Sequence, residues 1–436
     1  MRDLILTAVV FGSLPYILKR PFIGLLMWVW LGIMNPHQMT WGFAASMPFA
    51  LMVGACTLVS FVAHFNKLYK FTVNGITLTM MAFVLWMCIS PLFSFHPENE
   101  YFFWVRVMKV QLMVLIALFL IGNRDEINKM VWVLTMSVGF YGIKGGLFTI
   151  ATGGSYRVYG PDYSYIADNN HMALAIIMTV PLFRYLQLQS ANRWVRRGCV
   201  LAMFLCVAAA LGSQSRGALL AIGAMSSFLW LKSRNKAMIG IILVLAVPLV
   251  FLVMPESWTS RMNTIKTYDQ DESALGRINA WWMAWNLALD RFPIGGGFAV
   301  YELDVFARYA PIPEPRAAHS IYFQVLGEHG FGGLFLFMTI WGLAWICANA
   351  ILRKARDRKD LEWARDLAAM SQVSLIGYLV GGAFLSLSYF ELPFYIVVLL
   401  VVLRRIVDAE VPAKARPVAS KPVPVAMAER PTRVPQ

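Results

Sequence analysis

Long apolar runs separated by short polar loops make up most of this chain, and one long polar stretch, from Pro255 to His319, breaks the pattern. A helix needs about 20 apolar residues to cross a bilayer, with a range of roughly 17–25. Candidate spans fall at 3–18, 21–35, 46–63, 72–93, 103–121, 128–151, 168–188, 196–214, 215–231, 237–254, 331–351, 370–388 and 390–404. The first two are short and read as a tilted hairpin. Segments 196–214 and 215–231 meet at Gly212-Ser213-Gln214-Ser215-Arg216-Gly217, a polar kink without a real loop. The expectation is an all-α polytopic membrane protein with twelve or thirteen transmembrane helices and a long outer loop containing two helices. It divides into N-terminal membrane helices (1–254), the loop (255–330), C-terminal membrane helices (331–405) and a tail (406–436). The tail is rich in Pro, Ala and Val with scattered basic residues; it cannot build a core and is expected to be disordered in the cytoplasm.

Within the loop, Ala274–Arg291 reads as an amphipathic helix. Ser273 or Asp271 can cap its start, and Pro293 with Gly295–Gly297 ends it. Ile278, Trp281, Trp282, Trp285 and Leu289 recur on one face at helical spacing. A tryptophan-rich face of this kind suits the headgroup region. Ala318–Glu328 reads as a second short helix, broken at Gly330 before the next span.

Composition fits the membrane reading. Of 436 residues, 58% are hydrophobic and only 14% are charged, against about 25% charged in soluble proteins. The net charge of +14 could suggest nucleic acid, but the basic residues cluster in alternate short loops. Lys19/Arg20, Lys67/Lys70, Arg124/Lys129, Arg193/Arg196/Arg197, Lys232/Arg234/Lys236 and Arg353–Lys359 share one phase, and the positive-inside rule makes those loops cytoplasmic. In that phase 3–18 must start outside or fail to span. The N-terminal stretch lacks a small-residue cleavage site, so it reads as a retained helix rather than a signal peptide. The five cysteines all lie in apolar runs, which argues against a disulfide framework or a thiolate metal site.

Few ionisable groups remain for the outer face. Arg216 stands where an apolar run ends, either as a snorkelling arginine or as an anion site, since guanidinium binds phosphate oxygens bidentately and stays charged. Arg277 sits in the first turn of the amphipathic helix, where a cation opposes the macrodipole. Arg157 is a third outer cation, with an ordinary loop role as its alternative. His319 leads into a helix; imidazole can accept a hydroxyl proton near neutral pH, and capping is the bland alternative. Glu328 and His329 are candidate supporting partners. His171, His96 and His37 read as structural. No outer loop holds a DxD pair or a His/carboxylate cluster at metal-ligand spacing, and there is no P-loop, GxSxG or HExxH. A metal or nucleotide cofactor is therefore not expected. Charges inside the spans, among them Arg106, Lys109, Lys144 and Glu391, keep a lipid or polysaccharide transporter open as an alternative.

The segments SQSRGALLAIG, GRINAWWMAWNLALDRFPIGGGFAVYE and AHSIYFQVLGEHGFGG resemble the O-antigen ligase and polymerase superfamily, and YRVYGPDYSYIADNNHMA resembles its Arg…Gly…Pro-Asn loop. RPFIGLLMWVWLGIMNPHQMTWGFA is similar to the ligases associated with exosortase systems. Ser320 stands where the family has Asn, and Gly296 shifts the glycine pattern. The resemblance implies a bacterial inner-membrane glycosyltransferase, active at the periplasmic face without metal. The donor would be a glycan on undecaprenyl diphosphate and the acceptor a lipid A–core sugar. By the same resemblance, Arg216 and Arg277, with Arg157, would bind the diphosphate, and His319 would be the catalytic base. O-antigen polymerase and protein O-oligosaccharyltransferase activities share these motifs.

Overall fold

The computed structural model describes residues 1–232 and 272–410 and, between them, 236–238, 240–241, 244–245, 248, 254–256 and 258. Most of the expected span at 237–254, together with the acidic turn at 269–271, the side-chain cap from Asp271 or Ser273, and the tail from 411, falls outside these described residues. Among the described residues the fold is all-α, without strands.

The chain enters through α1 (Arg2–Lys19) and α2 (Pro21–Val29), the latter continued by a π-turn over Trp30–Met34. Then come α3 (Phe49–Ala63), α4 (Gly75–Ile89), α5 (Pro97–Leu120), α6 (Arg124–Ala151), α7 (Asn169–Gln189), α8 (Arg193–Gly212) and α9 (Arg216–Lys232). The loop contributes α10 (Glu272–Asp290) and the short α11 (Leu303–Tyr309); α12 (Ile321–Lys354), α13 (Glu362–Gly382) and α14 (Glu391–Glu410) close the chain. Among the described residues, six helices are long and apolar enough to cross a membrane: Gly75–Phe93, α5, α6, α7, α8 and α12. Pro21–Met34, Phe49–Ala63 and Arg216–Leu231 are apolar but shorter. The protein is thus a multi-pass membrane protein.

The expected loop helix at 318–328 and the expected span at 331–351 are both present along Ile321–Lys354 (α12), and a kink of non-helical backbone at Gly330, φ 64° and ψ −168°, breaks the helix between them. That backbone region is open essentially to glycine alone. At the other end, α14 continues to Glu410, past the boundary placed at 405. Asp408 there pairs with Lys354 at 2.7 Å and Arg404 at 2.6 Å.

Two helices form the centre. On α7 nearly every side chain from Met172 to Phe183 is buried, and Leu392–Leu403 of α14 is buried all round. A helix apolar on every side belongs inside a bundle. Small residues let neighbours come close, as membrane packing favours: a Cβ on Gly146 of α6 would lie 2.1 Å from the Leu205 carbonyl of α8.

The basic ends share one face. Arg20 meets Glu126 at 3.5 Å, Arg124 reaches Gln189, and Arg405 donates to the Lys70 and Ile121 carbonyls. The start of α1 lies at the opposite face, where Asp3 accepts the Gly42 and Ala44 N–H groups at 3.1 Å each.

Candidate functional site

The loop that carries the candidate residues is fastened to the bundle at both ends of α10. Beyond its C-terminus, Gly296 N–H donates to the Gly327 carbonyl (3.0 Å) and Gly297 N–H to that of Glu328 (2.8 Å), while Gly332 N–H returns to Pro293 (3.0 Å). Gly295 and Gly330 face each other so closely that a Cβ on either would fall within 2.4 Å of the other strand of this contact. Glu100 of α5 anchors the next residues by accepting from Phe298 N–H (2.6 Å) and Ala299 N–H (3.0 Å). The Pro-x-Gly-Gly-Gly run is therefore a backbone dock.

On α10, Ala280, Met283, Ala284, Leu287 and Ala288 are buried, while Leu275, Trp282, Trp285 and Leu289 remain exposed as an apolar stripe. Trp281, expected on that outward stripe, turns inward. Its ring stacks on Phe323 at 5.0 Å and its Nε1 donates to the Ala318 carbonyl at 2.7 Å. That bond holds the residue before His319.

His319 itself adopts the left-handed region with φ 45°, and its N–H donates to Ser386 Oγ at 2.9 Å. A non-glycine residue pinned in this region is strained. Arg277, His171, Asp168 and Arg316 all lie within electrostatic range of the imidazole. Arg316 packs across Gly276, where its Cδ would be 2.6 Å from an added Cβ. Burial, then Arg277, and then His171 and Arg316 push the imidazole down to about 4, with Asp168 opposing. It is therefore neutral, with a free lone pair, across the physiological range. Asp168 caps α7, accepting from Asn170 N–H at 2.8 Å and Asn170 Nδ2 at 2.9 Å. Burial raises its carboxyl, but the Asn170 bonds and His171 outweigh that and hold it below the usual range. Arg277 falls in the second turn of the described α10 rather than the first, so the macrodipole, which fades within one turn, bears on it less than the sequence suggested.

The start of α7 also reaches the other arginines. Asn169 Nδ2 donates to the Ser213 carbonyl at 2.7 Å, on the turn that leads into Arg216 at the head of α9. Gln214, left-handed at φ 57°, accepts from Arg157 Nε at 3.4 Å and donates to the Gly154 carbonyl at 3.3 Å. Arg277 and His319 thus share one cluster; Arg216 follows a turn bonded to the same helix start, and Arg157 reaches that turn from the loop before α7. Glu328 and His329 lie elsewhere. Tyr389 links them, donating to Glu328 and contacting His329 Nε2 at 2.7 Å, and Ser90 Oγ meets His329 Nδ1 at 2.6 Å. Glu328 also lines a cavity of about 250 Å³ that reaches Ala317 and Ser386, on the far side of the His319 backbone.

Asp168, Asn169, His171 and Arg316 are the residues missed at the sequence level. His171 was visible in the ADNNHMA segment that follows the Arg157 loop, but nothing local tied it to His319. Its Nε2 is buried and makes no hydrogen bond among the described residues.

Two family models match the chain. Residues 1–191 match a family of unknown function (DUF5935), and residues 201–338 match the O-antigen ligase family. No curated protein matches it. The second match contains Arg216, Arg277 and His319 together; over residues 201–338 it supports membership of the O-antigen ligase family, which implies a glycosyltransferase-like activity in O-antigen assembly.

Proposed function

We propose that the protein is an O-antigen ligase. It moves a glycan from undecaprenyl diphosphate to a hydroxyl of a lipid A–core sugar, at the periplasmic face of the bacterial inner membrane. The observation that carries this reading is the gathering of Arg277, Arg316 and His171 around a neutral, strained His319, on a helix start that also holds the turn of Arg216 and Arg157. With the basic ends inside, this cluster faces the periplasm.

The chemistry follows from the leaving group. The acceptor oxygen attacks the anomeric carbon from the face opposite the diphosphate, which inverts that centre. Its proton passes to the lone pair of His319. The bond from the anomeric carbon to the phosphate oxygen breaks, and the departing diphosphate takes the electron pair. Guanidinium groups, planar and permanently charged, neutralise that developing charge, so no divalent ion is needed. The incoming diphosphate also offsets the cations that depress His319, raising its basicity when substrate is present.

The test is transfer by purified protein from a lipid-linked glycan to a panel of acceptors, with and without EDTA. A product that survives chelation and disappears with His319→Ala, Arg216→Ala and Arg277→Ala is the expected result; losses of about 10²–10⁴-fold are typical for a base. Product only with a second lipid-linked glycan would make the protein a polymerase. No product with any acceptor would overturn the reading.

A further inference from the structure

A second cavity, of about 430 Å³, opens between α2 and α5 and takes nothing from the cluster around His319. Apart from Glu391, its lining belongs to residues 1–191, the part matched by the family of unknown function. Its walls combine Trp28, Tyr101, Phe102 and Tyr163 with two cations, Arg106 and Lys109. By the rise of an α-helix, those cations lie roughly 14 and 18 Å along α5 from its start, inside a segment long and apolar enough to span. Charge at that depth is expensive and marks function by default.

Snorkelling would account for a long side chain reaching outward. Arg106 is instead held in place: its guanidinium lies 4.4 Å over the Tyr165 ring and donates to the Tyr163 carbonyl at 3.5 Å. Glu391, buried at the inner end, is the carboxylate within electrostatic range of Arg106. Two cations against one carboxylate leave the cavity net positive. The mouth is aromatic and open, with Tyr101 72% and Tyr163 89% exposed, the placement expected of side chains at a membrane interface. Backbone strain points the same way. The described non-glycine residues with left-handed backbone are Asn35, Tyr163, Gln214 and His319. Two belong to the cluster described above, and the other two line this cavity. Strain of this kind gathers at functional sites.

Arg106 and Tyr165 also line the 250 Å³ cavity that reaches Ser386 beside His319. The two spaces therefore share a wall, and a ligand seated in the first is one side-chain layer from the second.

We propose that this cavity binds the anionic headgroup of a membrane amphiphile, a phosphate-bearing glycolipid that serves as acceptor, with Arg106 and Lys109 as its anion contacts. The acceptor role rests on the transfer reading above; the binding does not. Full-length protein in detergent would be mixed with lipid A carrying its phosphates, with dephosphorylated lipid A, or with phosphatidylglycerol, and the retained lipid weighed by native mass spectrometry. The phosphorylated form should be held about tenfold more tightly than either of the others, and Arg106→Gln or Lys109→Gln should each weaken it about tenfold. Lys109→Arg should keep it. Unchanged binding of the lipid-linked donor shows that the variants are folded. Equal retention of the dephosphorylated form, or indifference to both glutamine variants, would overturn the site. Equal retention of phosphatidylglycerol would make it an ordinary phospholipid site and overturn the acceptor role. Retention without transfer to any acceptor would count against the transferase reading alone, and transfer with an unchanged acceptor KM in Arg106→Gln/Lys109→Gln against the acceptor role alone.

Discussion

Replacing Arg277 by glutamine probes how the cluster sets the basicity of His319. The imidazole stands at about 4 rather than its ordinary 6.5, by burial first and Arg277 next. At about 1.4 kcal/mol per pH unit, that depression disfavours the imidazolium by roughly 3 kcal/mol. Burial survives the substitution, so removal of the next contributor should raise the imidazole part of the way back towards its ordinary value. The sign is fixed: losing a neighbouring positive charge makes protonation easier. A base works only when unprotonated, so transfer fails below its pKa, on the acid limb of the pH profile.

Two limbs should be resolved with a fluorescent lipid-linked donor between pH 4 and 8. The kcat/KM for donor reports the free enzyme, and its wild-type limb should fall near 4. The kcat reports the substrate complex, where the diphosphate charge is present, and its limb should lie higher. Arg277→Gln should lose much of its rate, about 10²–10³-fold for a lost electrostatic contact, and its kcat/KM limb should move up. A wild-type limb in kcat/KM at 6.5 or above would refute the reasoning, as would a limb that moves down in the variant.

The same depression links to stability: between pH 6.5 and about 4 the unfolded chain binds a proton that the folded site refuses, so wild-type Tm should fall with acidification more steeply than that of His319→Gln. Gly330→Ala forces an alanine into φ 64°, ψ −168°, with its Cβ 2.3 Å from the Pro293 carbonyl; a loss of roughly 1–3 kcal/mol or more should appear as a lower Tm in detergent. Asn169→Ala frees the Ser213 carbonyl that steadies the Arg216 turn; a loss near 1 kcal/mol should raise the donor KM about fivefold while leaving the acceptor KM unchanged. Glu100→Gln keeps only one acceptor oxygen for the Phe298 and Ala299 N–H groups, and a drop of about 1–3 kcal/mol should be read by the same thermal assay.

How much the sequence disclosed depends on the range of the interaction. Helical apolar periods are local, so α5 to α9, α10 and the break at Gly330 were all legible. Arg216, Arg277 and His319 were found because outer-face charges are few and because they sit in recognisable motifs. What gathers around His319 was not legible: Asp168 and His171 come from the start of α7, and nothing local marks Arg316 as part of the cluster. Trp281 shows the same limit. Its spacing placed it on the outward stripe, but its indole N–H is satisfied inside by the Ala318 carbonyl, a partner set by the return of the chain. The break at Gly330 is readable as a stop in local propensity, but that a second segment, Pro293–Gly297, packs into the kink is not.

That bend explains why a glycine-rich motif without chemistry of its own belongs to this site. Arg277 lies on α10 and His319 just ahead of α12, so their spacing depends on how α10 sits against α12. The dock from Pro293 to Gly297 fixes that relation with three backbone hydrogen bonds to the segment 327–332, and Trp281 fixes it again at the residue before His319. Contacts at both points allow little sliding, and at the dock a side chain on Gly295 or Gly330 would fill the contact. A 1 Å shift between a charge-neutralising cation and a base is enough to cost about 10²-fold in rate. The prediction that separates docking from chemistry is therefore Gly295→Ala. It should reduce kcat through misplacement while the acid limb of kcat/KM stays near the wild-type position, because the cations around His319 remain. A limb displaced as far as in Arg277→Gln would show instead that the motif acts on the charge of the cluster.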